Sequence, residues 1–185
     1  MLAKYKNKKY EIKGNKCILS DIRDKDAPHF VKWLRDPEVN EHMAMDFSHL
    51  TLQEEKKFFE DIRKSKNMLT FGVKDIKTKE VVGSISLKEI DLYNKRAVLG
   101  LAIANKKYWG MGIGTEATEL LINFGFKIIG LNSISLIVHF KNKAAQKVYK
   151  KVGFKKAGVL KEHVMHRTGY DHAYIMQILK KDWKK

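Results

Sequence analysis

The sequence predicts one α/β (α+β) domain: a mixed, mostly antiparallel central sheet flanked by about four helices. Three observations carry this. Residues 69–74, 81–90 and 96–104 are rich in Val, Ile and Leu and are separated by short turn-like segments, the pattern of an antiparallel three-stranded meander. Directly after it, residues 108–118 (YWGMGIGTEAT) set Gly110, Gly112 and Gly114 ahead of a helical pattern. In that pattern Ile113, Ala117, Leu120, Leu121, Phe124 and Ile128 recur at three- and four-residue intervals. Residues 133–140 (SISLIVHF) then read as a strand reached through a helix, so they are expected to run parallel to the strand before the glycines.

The elements follow in order. Residues 1–9 are lysine-rich and expected to be loosely held; residues 1–15 together read as a basic extension or an edge hairpin, ahead of a domain over 16–183. Gly14-Asn15 is a two-residue turn between apolar segments 10–13 and 16–22. Asp24 or Asp26 is placed to cap a first helix over 27–34, with Pro28 in its first turn, and Asp36-Pro37 breaks it. Residues 38–48 (EVNEHMAMDFS) look irregular. Thr51 caps a second helix to about residue 63, whose partly apolar face is Leu52, Lys56, Phe59 and Ile62. After the meander come the glycine loop and a helix over 112–129 closed by Gly130. Asn142 then opens a short helix that Gly153 ends, and residues 154–162 and 170–179 complete the sheet as a hairpin.

At 185 residues the chain suits one domain with a sizeable core. No apolar run reaches the ~18 residues of a membrane span, and the N-terminus lacks an apolar signal core, so a cytoplasmic location is expected. Cys17 is the lone cysteine, which excludes an internal disulfide and reads as packing. The net charge is +16, carried by thirty-two lysines and only five arginines. Nucleic-acid readers lean on arginine for bidentate and stacking contacts, so direct nucleic-acid binding is not expected. Solvated lysine faces or steering of an anionic ligand account for the surplus.

The glycine segment itself points to a ligand. Glycines let a ligand approach the backbone, and the unpaired N–H groups of the first helical turn, with the positive end of the helix dipole behind them, suit a phosphate or pyrophosphate. A dinucleotide fingerprint fails because Thr115 stands where the last glycine belongs, and a P-loop fails for want of its lysine. No Cys/His cluster has metal spacing, so no metal is expected.

Several stretches together resemble the GNAT superfamily of acetyl-CoA-dependent N-acetyltransferases, closest to the branch that acetylates ribosomal-protein N-termini. Trp109-Gly110-Met111-Gly112-Ile113-Gly114 resembles the family's CoA loop, Gln/Arg-x-x-Gly-x-Gly/Ala, with Trp109 departing at the first position as that branch often does. Residues 142–154 (NKAAQKVYKKVGF) resemble the Asn-x-x-Ala/Ser-x-x-x-Tyr-x-x-x-Gly-Phe element beside the thioester. Residues 169–176 (GYDHAYIM) resemble the last strand. Including the Trp33/Pro37 region, the likeness covers roughly residues 16 to 183. It implies a sheet splayed between its two parallel strands and acetyl-CoA as co-substrate.

On that resemblance the CoA-binding residues are Leu101, Ala102, Ile103 and Ala104 on the splayed strand, Trp109, Gly110, Met111, Gly112, Ile113, Gly114 and Thr115 in the loop, and Asn142 and Tyr149. Tyr149 is the expected acid toward the departing thiolate: an unperturbed phenol titrates near ~10 and a thiol near ~8.5. Asn142 lies seven residues earlier, about two helical turns, on the same face; an N-cap role is open to it as well. The branch often carries Glu two residues before the strand glycine, and here that position is Val98, so no general base is assigned. Glu89, Asp91 and His139 remain candidates. A primary amine is the expected acceptor, with His42, Asp46, Phe47, Glu89 and Tyr170 as candidate contacts. A protein N-terminus is the first reading. A small-molecule amine (polyamine, amino sugar or antibiotic) and a non-catalytic CoA-binding module are the alternatives. A monomer or homodimer is expected.

Overall fold

The computed structural model describes Tyr5 and residues 10–41, 43, 45–166 and 169–184. Residues 1–4 and 6–9, most of the segment expected to be loose, lie outside them; Tyr5 is described, buried in the core with its hydroxyl donating to the Ile128 carbonyl at 3.4 Å.

Among the described residues, eight strands form one sheet in the order β1-β2-β3-β4-β5-β6-β8-β7. They are β1 (Ile12–Lys13), β2 (Cys17–Ser20), β3 (Leu69–Asp75), β4 (Val81–Asp91), β5 (Arg96–Ala102), β6 (Ser133–His139), β7 (Lys155–His166) and β8 (Gly169–Leu179). Every neighbouring pair is antiparallel except β5 with β6, so the mixed, mostly antiparallel sheet is as the sequence predicts. Five α-helices accompany it among the residues from 10 onward that the structure describes: α1 (Ala27–Leu34), α2 (Pro37–Asn40), α3 (Leu52–Lys64), α4 (Ile113–Asn123) and α5 (Lys143–Val152).

Helix ends form where the sequence supplies caps. Thr51 and Glu54 make a reciprocal capping box at the start of α3. Asn142 accepts from Ala145 N–H at 2.9 Å to open α5, and Gly153, at φ +113°, closes it. Three elements differ from expectation. A short 3-10 turn, Asp24–Asp26, precedes α1, with Asp26 accepting from Arg23 N–H. Part of the segment read as irregular is the one-turn α2, capped by Asp36. The long helix is α-helical only to Asn123 and continues as a π-helix, Phe124–Ile129, against β6, where a Cβ on Gly125 would lie 3.0 Å from Ile134 Cδ1.

The sheet has two different faces. Leu69, Phe71 and Val73 of β3, Ile85 and Leu87 of β4 and Leu99 of β5 join Ile113, Ala117 and Leu121 of α4 and Tyr149 and Val152 of α5 in the main core. The opposite face carries Thr70, Gly72, Ser84, Ser86, Gly100 and Ala102, paired across the strands. A second cluster lies on that side: Ala27, Phe30 and Leu34 of α1, Val39, Phe59 of α3, Val81 and Ala104. On α3 the buried side chains are Phe59 and Glu55, and Lys56, expected inward, is exposed. The inward stripe is therefore 55-59-62, a four-three spacing that excludes Lys56, and Leu52 is exposed.

Glu116 in the first turn of α4 ties the edge of the sheet to this frame. Its carboxylate accepts from the backbone N–H groups of Asn15 (2.9 Å), Lys16 (2.7 Å) and Cys17 (2.8 Å) at the β1–β2 turn. A Cβ on Gly14 would lie 2.4 Å from Glu116 Oε2, so a larger residue in the turn must displace the carboxylate from its present position. Partial burial works against ionisation of Glu116, but the three backbone donors outweigh it and hold the carboxyl below its usual range. Burial, followed by the adjacent Glu116 charge, pushes the Cys17 thiol up, which fits a packing residue. Because the Glu116 pKa is lowered on folding, its contribution is present above the ordinary carboxylate pKa and fades as pH falls below it. Glu116→Gln is expected to cost about 2 kcal/mol in urea unfolding at pH 7, with the difference shrinking toward pH 3.

Candidate active site at the β5–β6 splay

β5 and β6 pair for three residues only: Arg96 with Ser133, Ala97 with Ile134 and Val98 with Ser135. Beyond Val98, β5 keeps β4 as its only sheet partner while β6 continues along β8. The β6-facing edge of Leu99–Ala102 is thus unpaired, an opening that a chain with alternating donors and acceptors could enter. β5 ends at Ala102, two residues before the sequence-based limit. Here β4 crosses so closely that a Cβ on Gly83 would lie 2.0 Å from the Ala102 carbonyl oxygen, and Asn105 N–H bonds to the Val82 carbonyl. Leu101, Ala102 and Ile103 are half-buried, and Ala104 is fully buried in the second cluster.

The glycine loop follows. Gly110 (φ +76°) and Gly112 (φ +81°) occupy the left-handed region, and Gly112 is the residue from which α4 starts. Trp109 folds back so that its Nε1–H donates to the Ile103 carbonyl at 2.6 Å, locking the loop to the end of β5. Lys16 reaches over from the β1–β2 turn and donates from Nζ to the Met111 carbonyl at 2.9 Å. Within α4, Thr118 Oγ1–H donates to the Gly114 carbonyl at 2.7 Å. The result is a braced loop with Met111 exposed, Ile113 buried beneath it, and the N–H groups of the first helical turn, including Gly114 and Thr115, at its mouth. These residues fit a diphosphate: backbone donors, a helix N-terminus and no obstructing Cβ at Gly110 or Gly112.

α5 lies beside α4 and brings the second block to the main core. Tyr149 is buried, edge-on to Phe154 at 5.8 Å, and burial pushes its phenol up. Asn142 is the N-cap described above. Between them Gln146, also buried, donates to the carbonyls of His139 and Phe140, both at 3.0 Å, and so fixes the β6–α5 connection.

The candidate acceptor contacts scatter. Asp46 accepts from Asn40 Nδ2 (2.7 Å) and Ser48 N–H (2.9 Å), and Asn40 Oδ1 accepts from Phe47 N–H, so Asp46 and half-buried Phe47 shape the loop after α2. The backbone N–H of Ser48 and the Asn40 amide hold the Asp46 carboxyl below its usual range. Tyr170 is exposed near the β7–β8 turn. Glu89 stands on an irregularity of β4 at φ +50°, lining a surface groove with Asp91 and Arg96, at the opposite end of β5 from the glycine loop. Asp91 accepts from Tyr93 N–H, Asn94 and Arg96, which commits it to the β4–β5 turn. His139 is buried. His42 lies outside the described residues. Sequence reasoning passed over Lys16, Glu116, Gln146 and Glu55. Only Glu55 left a local signal, its place on the α3 stripe; the others depend on contacts between distant segments or on a tight turn.

Residues 16–155 match the acetyltransferase (GNAT) domain family, and the chain belongs to it. It is an N-acetyltransferase of the class that uses acetyl-CoA. Among curated proteins it is 26% identical over 163 residues to the uncharacterized N-acetyltransferase YoaA of Bacillus subtilis, covering 86% of this chain and 92% of that one. In fold it matches spermidine N-acetyltransferase from Vibrio cholerae in complex with CoA and spermine, with a TM-score of 0.84 at 20% identity, covering 93% of this chain and 100% of the other. It also matches Mycobacterium smegmatis RimJ in complex with CoA-disulfide, with a TM-score of 0.81 at 21% identity, covering 91% and 84%.

Gly112 and Gly114 separate backbone need from spare room. A Cβ at Gly114 meets only ordinary contacts, 3.5 Å from Ile103 and Leu101 side-chain atoms, whereas Gly112 is held at positive φ with Lys16 Nζ 2.9 Å from its Cβ position. Gly114→Ala should leave thermal stability and CoA affinity by calorimetry within about twofold of the parent. Gly112→Ala should cost about 1–2 kcal/mol of stability. It should also weaken CoA binding about tenfold.

Proposed function

We propose that this N-acetyltransferase acetylates the primary α-amine of a peptide or protein N-terminus, by direct attack on acetyl-CoA in a ternary complex in the cytoplasm. The observation that favours a single ammonium over a polycation is the fate of the acidic residues on the acceptor side. Asp36 and Glu38 share one cation, Lys106 Nζ, at 2.8 Å and 2.9 Å, and Asp46 is spent on its own loop. No open array of carboxylates is left among these for a polyamine, and a net charge of +16 repels one at long range. The likeness to RimJ supports the same reading. The likeness to a spermine complex supports the alternative, a polyamine acceptor.

The residues divide the work. The first turn of α4 and the glycine loop hold the diphosphate of acetyl-CoA. The free edge of β5 binds the pantetheine arm, and an N–H among Leu101, Ala102, Ile103 and Ala104 polarises the acetyl carbonyl, a contact typically worth about 2.7–4 kcal/mol in the transition state. Tyr149 donates its hydroxyl to the sulfur as charge develops there. Because burial raises this phenol, it is a weaker acid than free tyrosine, and its contribution is a hydrogen bond to sulfur more than outright proton transfer. Asn142 acts through α5, as the cap that orients the helix carrying Tyr149.

Thiol release from acetyl-CoA across N-terminal peptides, polyamines and amino sugars tests the acceptor. Peptides with a free α-amine should give the highest kcat/KM and N-acetylated peptides none; faster turnover of spermidine than of any peptide overturns the reading. With the best amine, Tyr149→Phe should lower kcat about 10- to 100-fold, the loss of one hydrogen bond to a developing charge, while KM for acetyl-CoA stays within about threefold.

A further inference from the structure

Two acidic side chains are buried among the described residues, and they are treated differently. Asp26 accepts from Arg23 N–H at the start of α1. Glu55 is only 2% exposed and makes no side-chain hydrogen bond or ion pair with any described residue. A carboxylate taken out of water without a partner is strongly disfavoured, so a chain that keeps one there either holds it protonated or supplies it with a cation. Burial pushes the Glu55 carboxyl up to about 7, which leaves it ready to ionise when a cation arrives.

The face of the sheet that α3 covers also carries polar groups without partners. α3 packs on α1 and on β3, on the side of the sheet where Gly72 meets Ile22 and Val81. Thr70, two residues from Gly72, and Ser20, its cross-strand neighbour, belong to that side. Thr70 Oγ1 and Ser20 Oγ are both buried and make no hydrogen bond. From Thr70 the register runs across the strands through buried Ser86 to Gly100, on the part of β5 whose edge is open. Val98 shares this face with Gly100.

We propose that Glu55, on the inward face of α3, is the anionic anchor for the ammonium group of the acceptor. The proposal rests on the reading that the acceptor is an amine and says which residue recognises it. One carboxylate for one ammonium fits a mono-amine better than a polycation. When the bound ammonium passes its proton to the Glu55 carboxylate, a neutral amine and a carboxylic acid result; the amine nitrogen then bonds to the acetyl carbon, the carbon–sulfur bond breaks with its electron pair left on sulfur, and the second proton lost from nitrogen ends on that thiolate, giving the amide and the free thiol of CoA.

Glu55→Gln keeps the shape and removes the charge. With the best amine it should raise KM for the amine about tenfold or more, leave KM for acetyl-CoA within about twofold, and keep or raise the melting temperature. An unchanged KM for the amine overturns the proposal, and so does an equal rise in both KM values, which marks a structural role. Glu55→Met is the second variant should the amide fail to fold, with the same expectations. If no amine releases thiol, the acceptor reading fails on its own. Glu55 is then judged by the rise in melting temperature that alanylalanine amide gives the CoA-loaded protein. A rise lost in Glu55→Gln supports the anchor; an equal rise in both proteins, or none in either, overturns it.

Discussion

The divergence of β5 from β6 after three paired residues is the constraint on which the rest depends. A sheet interior normally leaves no backbone donor or acceptor unpaired, so the gap persists only because the flanking strands are held apart by other partners. β4 holds β5 through Gly83, β8 holds β6 along its whole length, and Gln146 pins the chain where β6 turns into α5. The glycine loop is built on the same scaffold. Trp109 fastens it to Ile103, and Lys16 with Glu116 fastens it to the far edge of the sheet.

Charge is distributed in step with this division. At the glycine loop, Lys16 and the start of α4 supply positive charge, and the Glu116 carboxylate is turned to the backbone donors of the β1–β2 turn. On the acceptor side Asp36 and Glu38 are paired with Lys106 and Asp46 is folded into its own loop, while Glu55 is buried. The lysine surplus therefore weighs on which amine approaches more than on how the donor is held.

Much of the fold was legible in the chain. The meander, the crossover to a parallel strand, the caps at Thr51 and Asn142 and the stop at Gly153 all rest on interactions within a few residues or on the periods of a helix and a strand. The glycine loop was legible for the same reason, since Gly110 and Gly112 report a local backbone conformation. The acceptor side was not. Glu89 and Asp91 were attractive as acids near the sheet, but a turn at the closed end of β5 claims them. The apolar face read from the sequence ran through Lys56; that Glu55 turns inward instead is set by Phe59 packing edge-on to Phe30 at 5.5 Å.

By itself the sequence determined the order of elements and the position and backbone conformation of the glycine loop, because those follow from short-range sterics and helix-end donors. Tertiary structure alone decided where the sheet opens, that Lys16 and Glu116 brace the loop from about a hundred residues away, and that Glu55 faces inward without a partner among the described residues. Those outcomes depend on which distant segments share a face of the sheet, and burial acts on a residue only once those faces have met.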